Sequence, residues 1–394
     1  VKNEKTILYL LTFVWFCSIV DFLLLLPLGT SFMQLYKIEP REYSWLIAAY
    51  SISGGISAFS AAFYVDKFDR KHVLLVAFFL FGVGSNLCSF AHNFEFMFFA
   101  RLFTGMFGGL LGGVTIAIVS DMVPFERRGK AMGILNLGFG LASILGIPFA
   151  IFISEHLDIF APFRIIGILS MLLIIPLYII IPNFNKHINK EPVSLLMITS
   201  ILKNRNIQNA LLFAFFLVLG HFMFISFINP YLVDNLGFDI ADTKWMYVVG
   251  GLSVTLTSPR IGKFVDTLGK LKSFQVMIIL SFIPILLISH LEEASITLAL
   301  FICAFMFIFN SGRMIAAQTL ITGAATEEQR GRFLVIRSSI FELSEGCAAA
   351  IGGMILTHNK TTGKLENYHI IGYIAVALGL LCIYLARRIV IKSE

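Results

Sequence analysis

The chain has 394 residues, 57% of them hydrophobic and only 14% charged, with a formal net charge of +6. Soluble domains carry about 25% charged residues, so this supply is too thin to cover a soluble fold. A cytosolic enzyme, a nucleic-acid-binding domain and a disordered chain are excluded, and the mean hydropathy of +0.85 points to a bilayer as the solvent.

A helix crosses the hydrocarbon core in about 20 mostly apolar residues. In chain order such stretches lie at 7–33, 44–65, 73–92, 95–120, 132–154, 162–182, 209–232, 244–265, 273–291, 295–320, 333–357 and 370–388, which predicts twelve transmembrane helices. The first is longer than the apolar core of a signal peptide and lacks a cleavage motif, so it is expected to be retained. The polar segment 183–208, with Pro192, reads as a cytoplasmic linker between an N-terminal half, 1–182, and a C-terminal half, 209–394. Within it, Val193, Leu196, Ile201 and Leu202 fit one side of a short helix on the membrane surface. An ordinary connection fits them equally well. The five cysteines all fall in spans and none forms a C-x-x-C pair, so neither a disulfide nor a metal site is expected.

Lys and Arg set the orientation. With the N-terminus in the cytoplasm, the termini, cytoplasmic loops and adjoining helix ends hold 20 basic residues, the opposite side with its helix ends holds six, and four (Arg101, Arg260, Arg313 and Arg337) are counted within spans. That bias predicts both termini inside. It also explains the net charge without nucleic acid.

The halves repeat. Tyr64-Val65-Asp66-Lys67-Phe68 recurs 200 residues later as Phe264-Val265-Asp266-Thr267-Leu268, and Glu126-Arg127-Arg128-Gly129-Lys130 recurs 202 residues later as Glu328-Gln329-Arg330-Gly331-Arg332. Two matches at nearly one offset imply a duplicated six-helix unit, a design that places a substrate site at the repeat interface.

Over essentially its whole length the sequence resembles the major facilitator superfamily. The run from Ala62 through Asp66, Lys67, Asp69, Arg70 and Lys71 is similar to the family's loop 2–3 motif, G-x-x-x-D-(R/K)-x-G-(R/K)-(R/K), with Ala62 and Asp69 in place of its glycines. The second copy keeps both, as Gly262 and Gly269. Arg101-x-x-x-Gly105 resembles the family's R-x-x-x-G motif, and Gly138-x-Gly140 to Gly146-Ile-Pro148 loosely resembles the glycine–proline motif of drug/proton antiporters. Asp21 through Pro27 and Gly29 looks like the drug-efflux and arabinose-efflux-like bacterial branch. The resemblance implies an all-α fold of two six-helix bundles. It also implies cytoplasmic gating residues: Asp66 against the start of the eleventh helix near Arg332, and Arg70 against Asp121. Solvated loop charge is the alternative reading of that set, which the repeat at Asp266 makes less attractive.

An ionisable group within a span costs roughly 2.5–3.5 kcal/mol on insertion scales and marks a pathway or a partner. Asp21 and Arg101 fall at nearly the same depth from opposite directions of entry. They are expected either to couple protons, with Asp21 as the switch and Arg101 tuning it, or to form a permanent structural pair. Ser338, Glu342 and Glu345 share one stripe of the eleventh helix. They are expected to face a cavity, binding a cationic substrate or carrying a second proton, or else to form only a wet helix face. Arg260, Arg313 and Arg337 are expected to snorkel to the cytoplasmic surface. Phe227 and Asn229, next to Pro230, are the best local case for a pocket. Asn136 and Asn310 are lone candidates that fit a helix–helix hydrogen bond equally well.

No P-loop, H-E-x-x-H or G-x-S-x-G occurs, so neither an ATP-driven pump nor a protease or lipase is supported. The expected function is secondary active, proton-coupled efflux of small amphipathic compounds by alternating access. Efflux of sugars or related metabolites, lipid transport, and a non-transporting sensor on the same fold are the alternatives. The accompanying expectations are a monomer in a bacterial inner membrane, with a small-molecule substrate, protons and lipids as partners. No cofactor, catalytic residue, metal or nucleic acid is expected.

Overall fold

The computed structural model describes residues 4–61, 63–124, 127–184, 202–359 and 361–391. The described chain is helical apart from one short hairpin. The first predicted span is interrupted. Helix α1 (Glu4–Leu23) ends, the chain turns through 24–28, and α2 (Gly29–Tyr36) follows. Pro27 supplies the break, because it has no N–H to continue the ladder. Lys37 closes α2 in the left-handed region at φ 54°.

Helix α3 (Pro40–Ala61) opens on a proline, and α4 (Arg70–Ser89) is capped by Asp69. Asp69 Oδ1 accepts from the backbone N–H of Lys71 at 2.8 Å and of Phe184 at 3.1 Å. Asp69 thus acts locally, capping one helix and holding the chain that leaves another. Asn93 caps α5 (Phe94–Met122). The predicted span 132–154 is composite: α6 (Arg128–Leu141), one π turn at Ala142–Gly146, then α7 (Ile147–His156). Pro148 in the first turn of α7 lacks an N–H, which accompanies the widened turn. Helix α8 (Ala161–Ile180) follows.

In the second half come α9 (Arg205–Asp234), α10 (Ile240–Leu268), α11 (Lys270–Ser289), α12 (Ile296–Gly323), α13 (Glu327–Ile355) and α14 (Tyr368–Ala386). Between α13 and α14 the residue order carries no strand signal, yet β1 (Thr357–His358) pairs antiparallel with β2 (Leu365–Glu366). Asn359 Oδ1 shapes the turn by accepting from the N–H groups of Thr361 and Thr362, and Gly363 takes φ +69°.

Nine helical segments among the described residues are long and apolar enough to cross a membrane: α1, α4, α5, the α6–α7 composite, α8, α9, α11, α12 and α14. Helices α3, α10 and α13, of 22, 29 and 29 residues, are equally long but richer in polar and small residues.

The chain forms two compact units, Val1–Leu25 with Ala49–Ser194, and Leu26–Ala48 with Leu195–Glu394. In the first, α1 packs on α5, α6 and α8, and α4 on α5 and α8. In the second, α9 is central, packed on α13 and α14, while α12 packs on α10 and α11. Helix α2 also packs on α9. The linker residues 185–201, including Pro192, lie outside the described residues.

Candidate functional site

The first unit holds a buried ion pair at its centre. Arg101 on α5 and Asp21 on α1 meet with Nη1 2.8 Å from Oδ2, and both side chains are fully buried. The same Nη1 lies 3.2 Å from the Asp21 carbonyl oxygen. On α4, the Ser85 hydroxyl lies 2.6 Å from Asp21 Oδ1 and 3.0 Å from the Phe163 carbonyl on α8. A hydroxyl has one proton, so it serves one of those acceptors at a time. The Tyr50 ring of α3 lies 4.4 Å from the Arg101 guanidinium carbon, and the Phe163 ring 5.9 Å from it. These faces add cation–π attraction to a charge shielded from solvent.

Glycine brings α3 and α5 close enough for that contact. A methyl group on Gly105 would overlap the Tyr50 backbone carbonyl, and one on Gly109 the Gly54 backbone. The R-x-x-x-G pattern therefore joins two functions here: the arginine makes the pair, and the glycine one turn on lets Tyr50 reach it.

At the other end of α5, Arg70 pairs with Asp121 at 3.0 Å and donates to the Ala117 carbonyl at 2.8 Å. The side chains of Asp66, Arg332 and Asn136 lie outside the described residues.

In the second unit, Glu345 is buried and Glu342 half-buried on α13. Among the described residues no Lys, Arg or His lies within 4.0 Å of either carboxylate. Ser338 donates to the Leu334 carbonyl of its own helix at 3.0 Å. Phe227 and Asn229 are taken up by packing rather than open to a cavity. The Phe227 ring meets the Tyr43 ring edge-on at 6.1 Å, and Asn229 Nδ2 donates to the Pro27 carbonyl. Asn310 is 5% exposed, and its Oδ1 has no hydrogen-bond partner among the described residues.

The arginines expected to snorkel behave differently from one another. Arg260 is exposed. Arg313 is not: it is 3% exposed, with Nη1 3.3 Å from Ser281 Oγ and Nη2 3.3 Å from His221 Nδ1. Depth alone suggests the surface, but the rotation of α12 turns this side chain inward, onto α9 and α11. Arg337 is half-buried, and its Nε has no partner among the described residues. Ser85, Tyr50, His221 and Ser281 do not stand out in the sequence. The available signal is a polar residue in an apolar span, which is too common to select them.

A profile of the Major Facilitator Superfamily matches residues 11–227 and, again, 210–393. The chain belongs to the major facilitator superfamily. Its two halves each answer to the profile, as the internal repeat requires. Named relatives of this superfamily protein include a probable sugar efflux transporter of Helicobacter pylori strain G27, 24% identical over 91% of this chain and 88% of the relative. Another is an uncharacterized transporter of the superfamily, YwfA of Bacillus subtilis, 27% identical over 89% of this chain and 82% of the relative. The fold is that of the nucleoside transporter NupG, with a TM-score of 0.75 at 12% identity over 98% of this chain and 100% of that one. It also matches the human organic anion transporter MFSD10, with a TM-score of 0.72 at 14% identity over 98% and 99%. The protein is thus a multi-pass integral membrane transporter, and the bilayer its composition pointed to is its solvent.

Proposed function

We propose that this superfamily member is a proton-coupled exporter of small organic compounds. In this reading twelve helices span a bacterial inner membrane with both termini in the cytoplasm, and two six-helix bundles give alternating access. The observation that carries the proposal is the fully buried Asp21–Arg101 pair with Ser85 beside it.

The coupling follows from the chemistry of that cluster. With Asp21 ionised, Arg101 and Ser85 each donate to one of its oxygens. When a proton arrives on Oδ1, the carboxyl donates to Ser85, and Ser85 turns its own proton to the Phe163 carbonyl. The hydroxyl thus reports the charge of α1 to α8. Protonation also removes half of an ion pair whose disruption typically costs about 3–5 kcal/mol, enough to bias a conformational equilibrium. Glu342 and Glu345 supply a second protonatable pair, and Arg70–Asp121 acts at the cytoplasmic gate.

For the substrate, amphipathic compounds and sugars are both small enough for such a path. The Helicobacter relatives, named probable sugar efflux transporters, favour sugars or related metabolites. Proteoliposomes with an imposed pH gradient test the coupling: wild type is expected to move substrate uphill, and Asp21→Asn to move it only downhill.

A further inference from the structure

The mechanism leaves Arg313 unused, although it is nearly as deeply buried as Arg101. Arg101 has a carboxylate partner. Arg313 has none within 4.0 Å among the described residues. Its two contacts are neutral. The Ser281 hydroxyl donates its proton to the Ile278 carbonyl at 2.7 Å and offers Arg313 a lone pair. His221 Nδ1, which receives an Arg313 N–H, must also present a lone pair, so the ring is neutral with its proton on Nε2. A guanidinium has five N–H donors. Two are engaged here, and the Nε–H is buried without a partner among the described residues.

A buried charge held only by dipoles is expensive, and a neutral side chain could make the same two hydrogen bonds at far lower cost. What a guanidinium alone offers is charge together with a planar fork matched to two oxygens of a carboxylate or phosphate. Three helices of one unit set up that fork: α12 carries Arg313, α9 His221 and α11 Ser281. Serine and histidine fix two of its nitrogens and leave the remaining donors for a ligand.

We propose that Arg313, positioned by His221 and Ser281, is an oxyanion-binding site within the second unit. The exported compound then bears a carboxylate or phosphate, as in an acidic or phosphorylated sugar derivative. The assignment of that anion to the exported compound rests on the transport reading above. The site itself is tested by binding rather than flux, so its failure is distinct from any failure of proton coupling at Asp21.

The test is thermal unfolding of the purified full-length protein with potassium gluconate, inorganic phosphate, glucitol or potassium chloride, at matched ionic strength. Glucitol is the neutral match of gluconate. Wild type is expected to gain Tm saturably with gluconate or phosphate, and not with glucitol or chloride. Arg313→Gln should weaken that response about 10- to 100-fold, the range for hydrogen bonds to a charged group. Arg313→Lys keeps a charge but loses the fork, and should weaken it about tenfold or more. The lysine variant serves where the glutamine variant does not fold. No saturable response of wild type to either oxyanion, an equal response to glucitol, or an unchanged response in the folded Arg313 variants would overturn the proposal.

Discussion

The guanidinium of Arg101 sits between a carboxylate and a ring: Asp21 Oδ2 is 2.8 Å from Nη1, and the Tyr50 ring lies 4.4 Å from the guanidinium carbon. Bulk water does not compete with either contact, because both charged side chains are fully buried. The pair is therefore sensitive to the loss of one member. Arg101→Gln leaves a buried carboxylate without its countercharge and is expected to cost about 3–5 kcal/mol of stability. Adding Asp21→Asn should recover a large part of that loss, because no lone charge then remains. Equilibrium unfolding of the two single variants and the double variant measures the cycle. Simple additivity of the two single losses would mean that the residues do not act as a pair.

Ser85 is the residue that converts Asp21's charge into a contact with α8. Ser85→Ala removes a hydrogen bond to a charged group, worth about 1.5–3 kcal/mol. Because that bond changes direction when Asp21 takes up its proton, the pH midpoint of coupled transport should shift while the protein stays folded. An unmoved midpoint would show that the hydroxyl plays no part in the proton step.

Close packing of α3 on α5 depends on glycine. Gly105→Ala pushes a methyl group into the Tyr50 backbone, which cannot swing aside as a side chain can. The expected destabilisation is about 1–3 kcal/mol, with a lower Tm in detergent and a weakened transport rate. By contrast Gly113→Ala, where an added methyl meets nothing within 4 Å, should leave Tm nearly unchanged.

How much of the site is legible in the sequence follows from what each residue depends on. Asp21 and Arg101 stand out because charge is scarce in the spans, and their matched depth follows from helix rise alone. Arg70 and Asp121 come from the family motif. Side-chain partners depend on helix rotation, which the residue order does not give. That is why Arg313 reads as a snorkelling residue by depth yet is buried against His221 and Ser281. Asn229 reads as a pocket residue yet donates to the Pro27 carbonyl. Breaks are legible only in part: Pro27 and Pro148 are visible, but not that one ends the first span early and the other follows a π turn. The β1–β2 hairpin is too short for any periodicity to register.

Outside the spans, His358 on β1 pairs with Asp234 at the end of α9 at 3.0 Å. That hydrogen bond to the Asp234 carboxylate raises the imidazole's pKa above its usual 6.5, partial burial opposes the rise, and the charges of Asp234 and Glu39 support it. A group whose folded pKa is raised contributes stability fully below its unfolded value and loses it as pH climbs through the folded one. The hairpin should therefore be most stable below about pH 6.5 and loosen above it. Tm measured from about pH 5 to 9 should fall over that window in wild type. His358→Gln should flatten that part of the curve, and an identical slope in both proteins would remove the pair as its cause.

The central claim is that Asp21 carries the proton that drives transport. The most direct measurement compares wild type and Asp21→Asn, reconstituted in proteoliposomes, for proton-gradient-driven movement of a substrate against its own gradient, with downhill exchange measured in parallel. The expected result is that Asp21→Asn loses uphill transport while keeping exchange. Undiminished uphill transport by Asp21→Asn would contradict the claim.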